Sequence, residues 1–143
     1  MKISEILTPT PQCITPESTV TMAAERMKLL NVGMLPICDR DRLVGSITDR
    51  DITIRSTSQG ANPNTTLVGD VMTKDIVYCF EDEDIEKAAE QMEERQIRRL
   101  PVLNRDKRLV GILSLGDLAV RTHREKLAGE VLERVSEPAM TAR

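Results

Sequence analysis

Residues 5–38 of this 143-residue chain reappear at residues 70–103, displaced by 65 positions, with like residues where it matters. Val20, Ala23, Ala24 and Met27 become Ile85, Ala88, Ala89 and Met92, and Leu35-Pro36 becomes Leu100-Pro101. One extra residue in the second copy then moves the offset to 66. There Arg42-Leu43-Val44-Gly45 answers Arg108-Leu109-Val110-Gly111, Thr48 answers Ser114, and Asp51 answers Asp117. Each copy is too small to bury a core alone, so the two are expected to pack face to face about a pseudo-twofold axis. A site built near that axis then comes in two related versions.

The repeats divide the chain into residues 1–55, a linker at 56–66, residues 67–120, and a C-terminal helix and tail at 121–143. Ser56–Thr66 is the linker because it is rich in turn formers and nearly uncharged. Within each copy the pattern reads as a short lead helix, a strand, a longer helix, two strands and a closing helix. The lead segments are Ile3–Leu7 and Leu67–Met72, each followed by Thr. First strands are expected near Gln12–Ile14 and Ile76–Cys79. Thr19 and Asp84 stand as N-caps before apolar positions with helical spacing. Leu35–Cys38 and Leu100–Leu103 read as second strands, with proline marking an edge strand or a strand start. A polar turn leads to third strands at Leu43–Ile47 and Leu109–Leu113, and Thr48 or Ser114 opens the next helix. After Asp117 the chain is expected to stay helical through Leu118–Val135, with Glu137–Arg143 as a frayed tail. The stripe Leu127, Val131, Leu132 and Val135 has no partner within the repeat pattern, which points to an interface or an extra packing surface, the alternative being that this helix folds back over its own domain.

Composition excludes several classes of function. Charged residues are 30% and apolar ones 40%, an ordinary globular balance. Tyr78 and Phe80 are the only aromatics, so the core is aliphatic and no stacking platform for single-stranded nucleic acid exists. A net charge of −3 supplies no basic field for nucleic acid or anionic membrane, and neither is expected as a partner. No run approaches the roughly 18–20 apolar residues that span a bilayer. The opening Met1-Lys2-Ile3-Ser4-Glu5 lacks a signal peptide's pattern, so a cytoplasmic location is the default expectation. Cys13, Cys38 and Cys79 are odd in number and form no CxxC, and read as core thiols rather than metal or redox groups. His123 has no Cys or His nearby and reads as part of a solvated helix surface.

No nucleophile–base pair, metal cluster or catalytic dyad is visible, so no enzyme and no required cofactor are expected. The chemistry instead gathers where each copy closes, at Gly45-Ser46-Ile47-Thr48-Asp49-Arg50-Asp51 and Gly111-Ile112-Leu113-Ser114-Leu115-Gly116-Asp117. A hydroxyl at a helix start suits a phosphate. A carboxylate one turn on is a poor phosphate neighbour but a good acceptor for a pair of ribose hydroxyls. Together they fit a nucleoside phosphate. Arg98 and Arg99 add forked donors for phosphate oxygens. Thr-x-x-Asp alone is far more often only a capped helix; its recurrence in both copies, at one distance after a Gly-ended strand, gives it weight.

The repeat, with Leu-Pro-Ile/Val, Leu-Val-Gly and terminal Thr/Ser-x-x-Asp, resembles the cystathionine-β-synthase (CBS) domain, and the tandem resembles the Bateman module. The resemblance spans residues 3–120. It implies an α/β fold of two βαββα repeats packed through their sheets, with two clefts for adenosine-containing ligands. In the cleft closed by the second copy it implies Ser114, Gly116 and Asp117, with Ile112 against the base. Arg98 and Arg99 would reach the phosphate, and Val32, Gly33 and Met34 would line the far wall. In the other cleft it implies Thr48, Arg50 and Asp51, with Ile97, Arg98 and Pro101 crossing over. Gly33-Met34 stands where the second copy has Arg98-Arg99, so the clefts are not equivalent. The expected function is a non-catalytic sensor of an adenine nucleotide, AMP first, with ADP, ATP, NAD or S-adenosylmethionine also open. It would signal as a homodimer to another protein. The alternative is a dimeric interaction protein with empty clefts.

Overall fold

The computed structural model describes residues 1–9 and 13–138. Eleven strands and helices follow in chain order among these residues. In the first copy they are β1 (Thr8–Pro9), α1 (Val20–Leu30), β2 (Met34–Asp39), β3 (Arg42–Thr48) and α2 (Asp49–Arg55). In the second they are β4 (Cys79–Phe80), α3 (Ile85–Arg95), β5 (Arg99–Leu103), β6 (Leu109–Ser114) and α4 (Leu115–Arg121), and α5 (Glu125–Val135) follows.

These elements form two compact units whose boundaries cut across the sequence repeats. The α1 unit is Gln12–Ile76, and the α3 unit combines Met1–Pro11 with Val77–Arg143. The lead segments are single 3-10 turns at Ile3–Glu5 and Val68–Asp70, and each is exchanged. Ile3 and Ser4 donate their amides to the carbonyls of Glu83 and Glu81, both at 2.9 Å, within the α3 unit. Val68 donates to Ser18 at 2.7 Å within the α1 unit. The opening turn of each copy therefore completes the body of the other.

The long helices follow their apolar spacing. Val20, Ala23 and Met27 face inward on α1, and Ile85, Ala88, Ala89 and Met92 on α3. Burying each large aliphatic side chain stabilises by about 1.5–3 kcal/mol. The Thr19 hydroxyl accepts from the Met22 amide at 3.2 Å, a working N-cap. Asp84 holds the N-cap position without that side-chain bond. Both helices stop on a left-handed residue, Asn31 at φ 54° and Gln96 at φ 52°. The linker is not slack: Val20 and Thr21 donate to the carbonyls of Thr66 and Pro63, tying it to the start of α1.

In the α3 unit a four-stranded sheet runs β1-β6-β5-β4, with only the β4–β5 pair parallel. In the α1 unit β2 and β3 form a hairpin, flanked by bridges Ile14–Ile37 and Ser46–Thr73 that repeat the order of the larger sheet. Of the first strands, Ile14 contributes one bridge, Gln12 lies outside the described residues, and the second copy's strand is Cys79–Phe80. Pro101 does not mark an edge, because β5 is interior. It is tolerated because β4 pairs only with Val102 and Leu103, one step beyond the missing N–H.

Three further expectations are corrected. The helix after Asp117 is broken at residues 122–124, where His123 adopts φ 57°; this exposed residue sits in the break, not on a helix surface. Beyond it α5 turns back on its own unit, so Leu127, Val131 and Val135 join the core around Ala89, Met92 and Leu118, leaving Leu132 exposed. The stripe is core: the alternative, a helix folded back over its own domain, holds in place of the interface. Cys13 and Cys38 are joined as a disulfide, with Cα atoms 5.8 Å apart. The bridge Ile14–Ile37 brings them side by side, although they are 25 residues apart in sequence. Cys79 alone is a free buried thiol, as expected. Of the tail, residues 139–143 lie outside the described residues.

Candidate functional site

The two closing motifs adopt one geometry twice. In the α3 unit the Ser114 hydroxyl accepts from the Asp117 amide at 3.0 Å, and Asp117 Oδ2 accepts from the Ser114 amide at 2.9 Å. In the α1 unit Thr48 and Asp51 make the same reciprocal pair at 3.0 and 2.9 Å. This is a capping box, in which hydroxyl and carboxylate satisfy two helix-start amides. One carboxylate oxygen remains. Among the described residues Asp117 Oδ1 meets the Thr8 hydroxyl at 3.4 Å and Arg121 Nε at 3.6 Å, and Asp51 Oδ1 meets Arg55 at 3.6 Å. A carboxylate has about four lone-pair sites, so these long contacts leave capacity for further donors.

Gly45 and Gly111 explain why each closing strand needs glycine. A Cβ on Gly111 would stand 2.5 Å from the Thr8 carbonyl oxygen, and one on Gly45 would stand 2.7 Å from that of Thr73. Only a residue without a side chain lets the exchanged lead segment approach so closely. The lead segment is then clamped beside the acid. Arg121 donates to the carbonyls of Ile6 and Leu7 at 3.3 and 3.2 Å, and Arg55 donates to the carbonyl of Val71 and the Thr73 hydroxyl at 2.9 and 3.1 Å. Sequence reasoning missed Thr8, Thr73, Arg55 and Arg121. The signal was present, since Asp-x-x-x-Arg and the Thr after each lead segment recur at the repeat offsets.

The remaining candidates fall into two groups. With Ser114 and Asp117 in the α3 unit lie Ile97, Arg98, Arg99, Pro101, Ile112 and Gly116. Arg99 pairs in register with Ser114, and Pro101 with Ile112. The Arg98 carbonyl accepts from the Leu115 amide at 2.8 Å, while its guanidinium reaches the Ser136 hydroxyl at 3.4 Å. Ile97 and Ile112 are half-buried, Pro101 is buried, and Arg98, Arg99 and Gly116 are exposed. With Thr48 and Asp51 in the α1 unit lie Val32, Gly33, Met34 and Arg50. Gly33 takes the place of Arg98, its carbonyl accepting from the Asp49 amide at 3.0 Å. Met34 is buried opposite Thr48, and Val32 and Arg50 are exposed.

Outside these motifs, the α3 unit carries a depression of about 600 Å³ lined by charged side chains, among them Lys2, Asp82, Asp84 and Arg105. Exposed ion pairs occupy it: Arg105 grips Asp82 at 2.9 Å and holds its carboxyl below the usual range. The Cys79 thiol is pushed up to about 12, first by burial and then by the Glu83 carboxylate, which makes it a poor nucleophile. No helix among the described residues is long and apolar enough to cross a membrane.

Comparison with known proteins agrees with the repeat. The chain is 37% identical over 134 residues to the CBS domain-containing protein YhcV of Bacillus subtilis, covering 94% of each. It is 42% identical over 108 residues to Hypoxic response protein 1 of Mycobacterium tuberculosis, covering 75% of each. The crystal structure of Hypoxic Response Protein I with two coordinated zinc ions aligns with a TM-score of 0.75 at 38% identity, covering 85% of this chain and 98% of that one. The CBS domain pair of MJ0100, in complex with 5′-methylthioadenosine and S-adenosyl-L-methionine, aligns with a TM-score of 0.74 at 28% identity, covering 88% and 98%. The CBS domain model itself matches at residues 3–56 and again at 68–122. With the same glycine, hydroxyl and carboxylate closing both matched segments, the chain belongs to the CBS domain family, as a tandem pair.

Proposed function

We propose that this CBS pair is a non-catalytic regulatory module that binds adenine nucleotides, with Asp117 and Asp51 accepting the ribose hydroxyls. The observation that supports this most is the duplicated hydroxyl–carboxylate pair, each with one weakly engaged carboxylate oxygen. The MJ0100 pair, which holds two adenosyl ligands, lends the ligand class. On this reading Ser114, Gly116 and Asp117 act with Ile112, Arg98 and Arg99, and the resemblance adds Val32, Gly33 and Met34 to that set. Thr48, Arg50 and Asp51 act with Ile97, Arg98 and Pro101. AMP is the first candidate, with ADP, ATP, NAD and S-adenosylmethionine behind it. No cofactor is required, and no metal is carried over from the zinc-containing neighbour. The site is a cytoplasmic sensor whose output passes to another protein.

The reading includes an isologous homodimer held by helices of the repeats. Ile54 and Val120 support it, because they answer each other at the repeat offset and are 51% and 71% exposed. Light scattering at micromolar concentration should give twice the 16.0 kDa of one chain; a monomer mass with and without nucleotide overturns this part. The second reading, an interaction protein with empty clefts, draws on the capping boxes, which already use both acids. Titration of adenosine and AMP separates the two. Forked guanidinium donors favour a phosphate over a neutral ribose, so AMP should bind the more tightly, and the gap should shrink in Arg98→Ala or Arg99→Ala. Absence of binding by any adenine nucleotide favours the second reading.

A further inference from the structure

The groove between α1 and α2 has an occupied twin in the same molecule. It is lined by Ala24, Met27, Val32 and Ile52, with Lys28 and Asp49 among its polar residues, and encloses about 320 Å³. At the repeat offsets the four apolar residues answer Ala89, Met92, Ile97 and Leu118. Those four pack in one cluster with Leu127, Val131 and Val135 of α5. The end of α5 is held as well: Gln96, the left-handed cap of α3, donates through Nε2 to the carbonyls of Arg134 and Glu137 at 3.1 and 3.0 Å. Asn31, the left-handed cap of α1, carries the same carboxamide at the same place. The chain thus contains a demonstration of what such a face accepts, an amphipathic helix.

Three positions differ in a way that suits a face that meets water before it meets a partner. Lys28 stands where the twin has Glu93, and Asp49 where it has Leu115, while a third lining residue, Thr53, stands where it has Ala119. The apolar residues remain, but one charge of each sign now accompanies them. We propose that the α1–α2 groove docks an amphipathic helix of another protein. Its apolar residues at i, i+4 and i+8 seat as Leu127, Val131 and Val135 do in the twin, with an acidic side chain against Lys28 and a basic one against Asp49. The proposal rests on the regulatory reading only for whose helix it is; the fit belongs to the groove.

The probe is a helix-stabilised peptide of residues 124–137, the α5 sequence, titrated onto the full chain with amide chemical shifts recorded. Saturable binding should shift the amides of Ala24, Lys28 and Val32 and leave those of Ala89 and Met92 unmoved. Ala24→Glu, at an exposed helical site, should weaken binding by roughly tenfold or more, as should replacing Val131 by Asp in the peptide. Lys28→Ala provides a milder variant, with circular dichroism confirming the fold of each. Shifts at Ala89 and Met92 instead would mean that the peptide only displaces α5, and would overturn the proposal. Refusal of the peptide overturns it too, including the case where a dimer mass collapses in Ala24→Glu because a second copy fills the groove. AMP titrated into the same samples keeps the two readings apart. Nucleotide bound and peptide refused sinks only the docking groove; peptide bound and nucleotide refused sinks only the nucleotide site.

Discussion

Ala24 and Ala89 hold the same place in their repeats, yet Ala24 is exposed and Ala89 is 2% exposed. The cause is α5, which only the second copy possesses and which lies across α3 and α4. Among the described residues the α1 unit has no such helix; its additional closure is the Cys13–Cys38 disulfide and a linker hydrogen-bonded to α1. Two copies of one pattern have therefore been completed by different physical means, one by apolar burial and one by a covalent tie. The difference teaches where duplication preserves and where it diverges. The capping boxes agree to a tenth of an ångström, whereas the outer helix faces do not.

If burial under α5 is what separates the units, equivalent truncations must cost unequal amounts. Leu118→Ala removes a fully buried side chain and should cost about 3–4 kcal/mol in denaturant unfolding. Its counterpart Ile52→Ala, at the open groove, should cost about 1 kcal/mol. Equal losses would break the comparison.

The disulfide should act on the other unit. It closes a span of 25 residues, for which loop-closure entropy gives about 3.5 kcal/mol. Reduction, or Cys13→Ser, should speed amide exchange in α1 and β2 while leaving α3 and β5 protected. Uniform acceleration across both units would show that the bridge has no preference between them. Because disulfides seldom persist in the cytosol, a cytoplasmic protein would spend much of its time in the looser form.

A smaller effect distinguishes the remaining cysteine. Folding raises the Cys79 pKa from an ordinary 9.0 to about 12, so the folded state favours the protonated thiol. The associated stability is complete below pH 9 and is lost as pH rises toward 12. Iodoacetamide at pH 8.5 should leave Cys79 unmodified in the folded chain and alkylate it in denaturant. Rapid modification of the folded protein would contradict its burial.

Much of this was legible in the residues. The repeat, the four main helices of its pattern, both hairpins and the Thr19, Thr48 and Ser114 caps all followed from spacing and small polar residues. What escaped was non-local. Nothing in the lead segments says that each packs on the other copy's body, because both bodies present the same glycine and the same strand to receive them. The disulfide depended on a strand bridge, Ile14–Ile37, too short to show as periodicity. The break before α5 depended on a left-handed His123, a conformation that histidine adopts more readily than most residues but still uncommonly. Without that break the apolar stripe reads first as an interface, with folding back over its own domain as the alternative. At the candidate site the acids were found, and their Arg55 and Arg121 neighbours were missed because i,i+4 pairs are common on ordinary helices.

The central claim is that the repeated acid is a ligand group as well as a cap. Isothermal titration of AMP onto the native chain, Asp51→Ala and Asp117→Ala tests it directly, with melting curves confirming that each variant is folded at the working temperature. Losing the cap should cost about 1 kcal/mol of stability in either variant. Beyond that, the account predicts AMP affinity weakened by about 1.5–3 kcal/mol when a ribose acceptor is removed, in at least one of the two. Unchanged affinity in both folded variants would contradict it and leave the acids as helix caps alone.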